Sequence, residues 1–447
     1  MNLKTPVVVL ALLLAATASA STTAFVNVNI VPMTSETVIE TQTVIVTDGV
    51  ITSISNFGST AVPDEAEIVD GTDRYLMPGL VEMHGHVPGG DSSNLERILG
   101  LYVANGITTV RGMLGQPSHI DLRTRIANGE TLGPRLITSG PSLNGRSVDS
   151  PEAGRDMVRA QHAAGYDFLK IHPGLTGEEF DAIAETAIEI GIPFAGHVPE
   201  DVGVERALAA GIATIDHLDG YMQTLLPPND DPSGGLSGFF GVFIADQADE
   251  EKIADIARAT AAAGVWNVPT DSLFVHVTSP ELGTEDLAHR PEMEFMPATT
   301  VAQWEDYKTA LLNDANYDAD TAARAIQLRR QLILALHEAG AGLLLGSDSP
   351  QVFNVPGFAL HHELRLIAEV GLSPFAAIQT GTINAARFFG AEDRWGTVQE
   401  GLVADLILLD SNPLTDVTNS KRIHGVMLRG RWLSRADLDA MLERFQR

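Results

Sequence analysis

The stretch Met77-Pro-Gly-Leu-Val-Glu-Met-His-Gly-His86 decides how the chain is read. Pro78 and Gly79 punctuate what comes before it, and an apolar run follows. The run closes on two imidazoles one residue apart, and an extended backbone with its two-residue period turns both to the same side. A bare pair of this kind is more often two ordinary histidines. Its place after Met77-Pro-Gly-Leu80 gives it weight, and so does the recurrence of the same pattern further on. His197 closes Pro193-Phe-Ala-Gly196, His217 closes Ala213-Thr-Ile-Asp216, Asp348 follows Leu343-Leu-Leu-Gly-Ser347, and Lys170 sits inside Tyr166-Asp-Phe-Leu-Lys-Ile171.

Working outward, strand-like runs span 79–84, 108–111, 135–139, 167–171, 192–196, 213–216, 265–269 and 343–346. Between them 151–164, 176–190 and 322–339 carry apolar residues at three- and four-residue spacing, as amphipathic helices do. Eight strand-helix alternations predict an α/β chain folded as a (β/α)8 TIM barrel over residues 78–391, with chemistry at the carboxyl ends of the strands. All six residues named above fall at or just beyond such ends. The connections after the sixth and seventh strands, 218–250 and 271–321, are long and are expected to cover the barrel mouth.

The two ends of the chain read differently. Val, Ile and Thr alternate through 24–55 with Asp48-Gly49 as a hairpin turn, and 401–410 and 423–433 repeat that character with Arg429-Gly430 turning the last pair. Residues 21–77 and 392–447 are therefore expected to build one small β-sandwich domain. Residues 1–20 read as a secretory signal: Lys4, an apolar run from Pro6 to Ala16, then Ala18-Ser19-Ala20. The run falls short of the roughly 20 residues a membrane span needs. A secreted or periplasmic protein follows, with no stable membrane insertion once the signal is removed.

Composition narrows the chemistry. The 447 residues contain no cysteine, so disulfides, thiolate ligands and a cysteine nucleophile are all excluded. With 29 basic and 58 acidic residues the net charge is −29, which repels phosphate backbones and argues against nucleic acid as a partner. The acidity fits adaptation to salt as well as it fits an ordinary acidic secreted protein. A homo-oligomer is left open.

Four imidazoles, a lysine and a carboxylate form a ligand set for divalent metal. His197 and His217 taken singly also read as hydrogen-bonded core histidines. Asp348, after an apolar strand, is costly to bury unless paired or metal-bound. Lys170 is the decisive residue. An internal salt bridge is one reading of it; the other is that burial lowers its pKa and the neutral amine takes up carbon dioxide as a carbamate, whose two oxygens can bridge two cations.

On these motifs, together with Gly401-Leu-Val-Ala-Asp-Leu406, the chain resembles the metal-dependent amidohydrolase superfamily, in its imidazolonepropionase-like and Xaa-Pro dipeptidase (prolidase-like) branch. The resemblance covers essentially the whole mature chain. It implies two divalent metals, with zinc expected from the donor types. His84, His86 and Asp348 would hold the more buried ion, His197 and His217 the more exposed one, and carbamylated Lys170 would bridge them. It implies amide hydrolysis by a metal-bridging hydroxide, with Asp348 as ligand and as proton carrier to the leaving amine. Where many relatives have aspartate two residues before the first histidine, this chain has Glu82.

The substrate is expected to be a small amide: a dipeptide or N-acyl amino acid, including bulky aromatic amides. Tyr221 resembles a substrate-contacting tyrosine of the dipeptidase-like branch, Arg146 offers a bidentate partner for a free carboxylate, and His276 follows the seventh strand. Phe239, Phe240, Phe243, Trp266 and Phe274 favour a bulky apolar substrate side or else pack beneath the insertions. Hydrolysis of cyclic amides or lactones, a mononuclear deaminase and an inactive metal-binding barrel remain as alternatives. His172, two residues after Lys170, reads first as a loop histidine bonded to backbone.

Overall fold

The computed structural model describes residues 21–90, 93–227 and 237–447, so the expected signal over 1–20 lies outside the described residues. The first strands alternate as their sequence does. They are β1 (Thr22–Ile30), β2 (Ile39–Thr47), β3 (Val50–Asn56), β4 (Glu67–Asp70) and β5 (Tyr75–Pro78). Asp48 and Gly49 both take left-handed φ, 50° and 80°, which is what a two-residue hairpin turn matched to strand twist requires.

Seven strands then run through the middle of the chain: β6 (Leu80–Gly85), β7 (Ile107–Gly112), β8 (Arg135–Thr138), β9 (Leu169–Ile171), β10 (Phe194–Gly196), β11 (Thr214–Asp216) and β12 (Trp266–Val268). β13 (Leu406–Leu409), β14 (Ile423–Leu428) and β15 (Arg431–Ser434) follow near the end. The terminal strands join the first five in one eight-stranded sheet, ordered β15-β14-β13-β5-β1-β2-β3 with β4 also on β1. Val50 bridges Val403, and the N–H of Ile51 donates to the Leu402 carbonyl. The expected sandwich thus takes the form of one continuous sheet wrapped about a core of Phe25, Val44, Ile51, Leu406, Leu408 and Met427. Antiparallel pairing of β5 with β13 makes this possible, because it joins the two chain ends edge to edge instead of face to face.

The middle strands are all parallel and almost wholly buried, as strands flanked by helices must be. They form sheets β6-β7-β8 and β9-β10-β11-β12, and Ser139 bridges Phe168 between the two. The expected eighth strand, 343–346, is not a regular strand. It carries one parallel bridge, Leu343 to Asn267, and the Leu345 carbonyl accepts from Met83 N–H on β6. The turn at Thr380-Gly381 intervenes there: Leu345 N–H donates to Thr380 and Val81 N–H to Gly381, so donors that would extend a ladder are spent on that turn.

The helices form where the spacing predicts. Pro151–Ala164 starts on Ser150, whose side chain accepts from Ala153 N–H, and ends at Gly165 with φ 84°. Gly177–Ile190 starts with a reciprocal Thr176–Glu179 capping box. Ala319–Glu338 replaces the expected 322–339 with the Asp318 side chain as its cap. These helices pack on the parallel strands and leave the strands' carboxyl ends pointing into one region.

Candidate metal centre

Five strand ends deliver the site. His84 ends β6 with His86 just past it, Lys170 lies in β9, and His197, His217 and Asp348 follow β10, β11 and the Leu343–Leu345 segment. His86 Nε2 is 2.6 Å from Asp348 Oδ1, His84 Nε2 is 3.6 Å from the same oxygen, and His217 Nδ1 is 3.7 Å from Asp348 Oδ2. The ring centres of His84 and His217 stand 4.4 Å apart and those of His217 and His197 4.6 Å. Residues up to 264 positions apart thus share one pocket. The donor atoms of His84, His86 and Asp348 lie within 4.8 Å of one another, a group that could hold a metal ion.

The donor set passes a test for metal on its remaining contacts. His84 Nδ1 lies 2.9 Å from Asp216 Oδ2, His197 Nδ1 is 2.9 Å from Asp219 Oδ2, and His217 Nδ1 is 2.8 Å from Thr270 Oγ1. Hydrogen bonds thus fix the rings of His197 and His217, and Asp216 stands beside that of His84, which leaves the other nitrogen of each for a ligand role. Lys170 is fully buried, and its Nζ has no hydrogen-bond partner among the described residues. Burial lowers its pKa to about 8, offset in part by Asp216 and Asp348. A buried amine without an acceptor is expensive as a structural feature, so the salt-bridge reading of Lys170 finds no partner here.

The backbone around the pocket is strained where the donors sit. His217, Leu218, Thr270 and Asp348 take φ between 48° and 63°, a region that costs side-chain-bearing residues free energy and persists only where surrounding contacts impose it. Those contacts are visible: Asp348 N–H donates to the His84 carbonyl at 2.7 Å, and His217 N–H to the Val268 carbonyl at 2.8 Å. Glu82 accepts from His84 N–H, Ser347 N–H and the Ser347 hydroxyl, tying β6 to the Asp348 turn. Burial raises its pKa to about 8.

Several partners went unassigned in the sequence. Asp216 takes Arg111 Nη2 at 3.2 Å and the Thr214 hydroxyl at 2.6 Å, and Arg111 Nε donates to the Met83 carbonyl at 2.6 Å. An arginine within the apolar β7 was the legible signal for this group. Asp219 and Thr270 carried no such signal, since both lie in loops. His172 turns its ring to within 4.9 Å of that of His197, and its backbone N–H donates to the Leu143 carbonyl.

The three expected substrate residues fall in three different places. Tyr221 is buried, and its hydroxyl donates to Asn267 Oδ1 at 2.8 Å with Thr260 Oγ1 at 3.0 Å, so it is committed to the interior and not offered to a substrate. His276 is also buried, held between Asn354 Oδ1 at 2.8 Å and Arg290 Nη1 at 2.8 Å. Arg146 is exposed on the 140–147 loop, which joins the Lys170 strand through Leu143 N–H to the Lys170 carbonyl. A cavity of about 630 Å³ opens beside His197 and Asp219, and Phe239 and Phe240 line it. The Phe240 ring stacks on His217 at 4.9 Å and 16°. Phe274 lies instead under the Arg329 guanidinium at 4.2 Å, and Trp266 packs on Phe388.

Residues 75–433 match the family model described as the amidohydrolase family. The chain belongs to the amidohydrolase family. It is 23% identical over 377 residues to ochratoxinase of Aspergillus niger, covering 76% of this chain and 71% of that one. A 52-residue stretch is 52% identical to adenine deaminase 2 of Desulfotalea psychrophila, covering 12% of this chain and only 9% of the deaminase. The solved structure of a Xaa-Pro dipeptidase with bound methionine superposes with a TM-score of 0.64 at 20% identity, covering 93% of this chain and all of the other. That likeness gives a TIM-barrel-type fold with an extra domain. Amidohydrolase membership places the chain among hydrolases of carbon–nitrogen bonds, a family whose members typically depend on metal.

Proposed function

We propose that the chain is a secreted or periplasmic binuclear-metal amidohydrolase that cleaves the amide bond of dipeptides or N-acyl amino acids, including bulky aromatic amides. The observation that carries this reading is Lys170: a fully buried amine with no acceptor among the described residues, set among four imidazoles and a carboxylate. As a carbamate it would bridge two ions, with His84, His86 and Asp348 holding one and His197 and His217 the other. Bound divalent cations, zinc by donor type, would supply an activated water and a Lewis acid for the substrate carbonyl.

The protein's own groups do the rest. Asp216, Asp219 and Thr270 keep the three imidazole rings in their ligand orientation. Asp348, with one oxygen toward His86 and the other toward His217, accepts a proton from the attacking water and passes it to the leaving nitrogen. Phe239 and Phe240 present an apolar wall where the substrate's bulky side would rest. The same reading takes residues 78–391 as the barrel, closed through the segment before Asp348, and residues 21–77 with 392–447 as the accompanying β domain.

The test is turnover of dipeptides, N-acyl amino acids, lactones and adenine by zinc-loaded protein, alongside metal content and the electron density at Lys170. Amide cleavage with two metals per chain and extra density on Lys170 is expected. Turnover of lactones alone would favour the cyclic-substrate reading. One metal per chain with an unmodified lysine would favour a deaminase.

A further inference from the structure

At the amino ends of the strands, opposite the metal-ligand cluster, lies a second cavity of about 440 Å³. Arg135 opens β8, and Asp167, Pro193 and Ala213 precede β9, β10 and β11, so the cavity enters the strand cylinder from the end the metal donors do not use. Its walls are aromatic: Phe168, Phe388, Phe389 and Trp395. Phe388 and Phe389 meet edge to face at 5.0 Å, and the Arg111 guanidinium lies 5.5 Å from the Phe168 ring centre and 5.4 Å from that of Phe388. Interiors are ordinarily filled to crystal density, so an open space of this size lined by rings is a place for a ligand's apolar body.

The charge around it is mostly positive. Three arginines and one aspartate line the cavity, in a chain whose net charge is −29. Asp167 is occupied by Arg123 Nη1 at 2.7 Å and Thr138 N–H at 2.8 Å. Arg111 is neutralised by Asp216, and Arg135 Nη2 by Asp405 at 2.9 Å, but Arg135 Nε keeps a buried N–H with no acceptor among the described residues. Arg394 is exposed at the rim and has no carboxylate partner among the described residues.

We propose that this cavity is a second ligand site, for a small aromatic carboxylate: the ring lies among Phe168, Phe388, Phe389 and Trp395, and the carboxylate meets Arg394 with Arg135 beside it. Aromatic walls select a planar apolar body, and a guanidinium fork selects a carboxylate over a neutral polar group. No residue of the site is a candidate metal donor; Arg111 in its wall is the one link to the metal centre, through Asp216.

Calorimetric titration of the full-length protein with 2-naphthoate, in metal-loaded and chelator-stripped forms, tests it. Saturable binding of equal affinity in both forms is expected. Arg394→Glu should weaken it by about tenfold or more, the worth of one charge-assisted contact, and Arg394→Gln provides the same test if the reversal lowers the melting temperature. Phe389→Ala should weaken both 2-naphthoate and its neutral analogue 2-naphthalenemethanol, whereas the Arg394 variants should affect only the anion. Absence of saturable binding, binding lost on chelation or in His197→Ala, or binding indifferent to Arg394 would each overturn the proposal.

Discussion

Asp348 joins two properties in one side chain: it touches three of the imidazoles, and its own backbone is held at φ 59°. An asparagine would keep that shape but could not take up a proton. Asp348→Asn should therefore lower kcat by about 10²–10⁴-fold with much of the metal still bound; near-normal turnover would remove the proton-carrier role. Gly196 is the second sensitive position. It sits at φ 129°, and a Cβ there would lie 2.5 Å from the Ile171 carbonyl oxygen and 2.9 Å from Lys170 Cδ. Gly196→Ala should cost more than about 1 kcal/mol and reduce metal content by displacing the lysine. Gly191→Ala is the control, because at φ 76° it meets nothing within 4 Å. Urea denaturation and metal analysis read both, and a metal-replete Gly196→Ala would show that the lysine tolerates the shift. The six candidate donors stood out in the sequence because each is a polar group in or at the end of an apolar run. Tyr221 and His276, expected to face a substrate, turn to Asn267 and Asn354, because sequence places a residue near a strand end without saying which way its side chain turns.

Among the elements, the helix Asp271–Thr278 shows how the long seventh connection is fastened to the helix that follows Asp348. Its first N–H groups, from Asp271 and Ser272, donate to the Glu363 carboxylate of the helix Phe358–Glu369 at 2.9 and 2.6 Å. Burial raises the Glu363 pKa from 4.5 to about 7, with the Asp271 charge adding to it. A raised folded-state pKa means that the folded protein binds more protons than the unfolded chain between these values. The stability contributed by Glu363 is then full below about pH 4.5 and is lost as pH rises through about 7. Glu363→Gln removes that dependence, so its deficit in Tm against the parent should be largest near pH 5 and shrink by pH 8; a deficit constant across that range would refute the assignment. Apolar spacing located Pro151–Ala164 and Gly177–Ile190 closely, since local hydrogen bonds set both ends. The 343–346 segment differed from the expected strand because the Leu345 N–H is taken by Thr380, about 35 residues away, which no local pattern reports.

For the whole molecule, a net charge of −29 implies self-repulsion that added salt should screen. Between about 0.01 and 0.1 M NaCl the Debye length falls from about 30 to about 10 Å, and Tm should rise by calorimetry. An unchanged or falling Tm would mean that the acidic groups are already compensated locally. Periodicity alone was enough to indicate alternating strands and helices between two β-rich ends, because side-chain burial follows strand and helix geometry residue by residue. Residue type alone was enough to point to a candidate metal-ligand set, because imidazole, carboxylate and a buried amine have few other reasons to recur at strand ends. What orients those donors was decided only by the tertiary structure: Asp216 for His84, Asp219 for His197, Thr270 for His217, and Arg111 behind Asp216. The same holds for the single wrapped sheet that joins the chain's ends and for the aromatic cavity at the far end of the strands. These depend on contacts between residues tens to hundreds of positions apart, and their energy comes from burial and hydrogen bonding in three dimensions, which leaves no periodic trace along the chain.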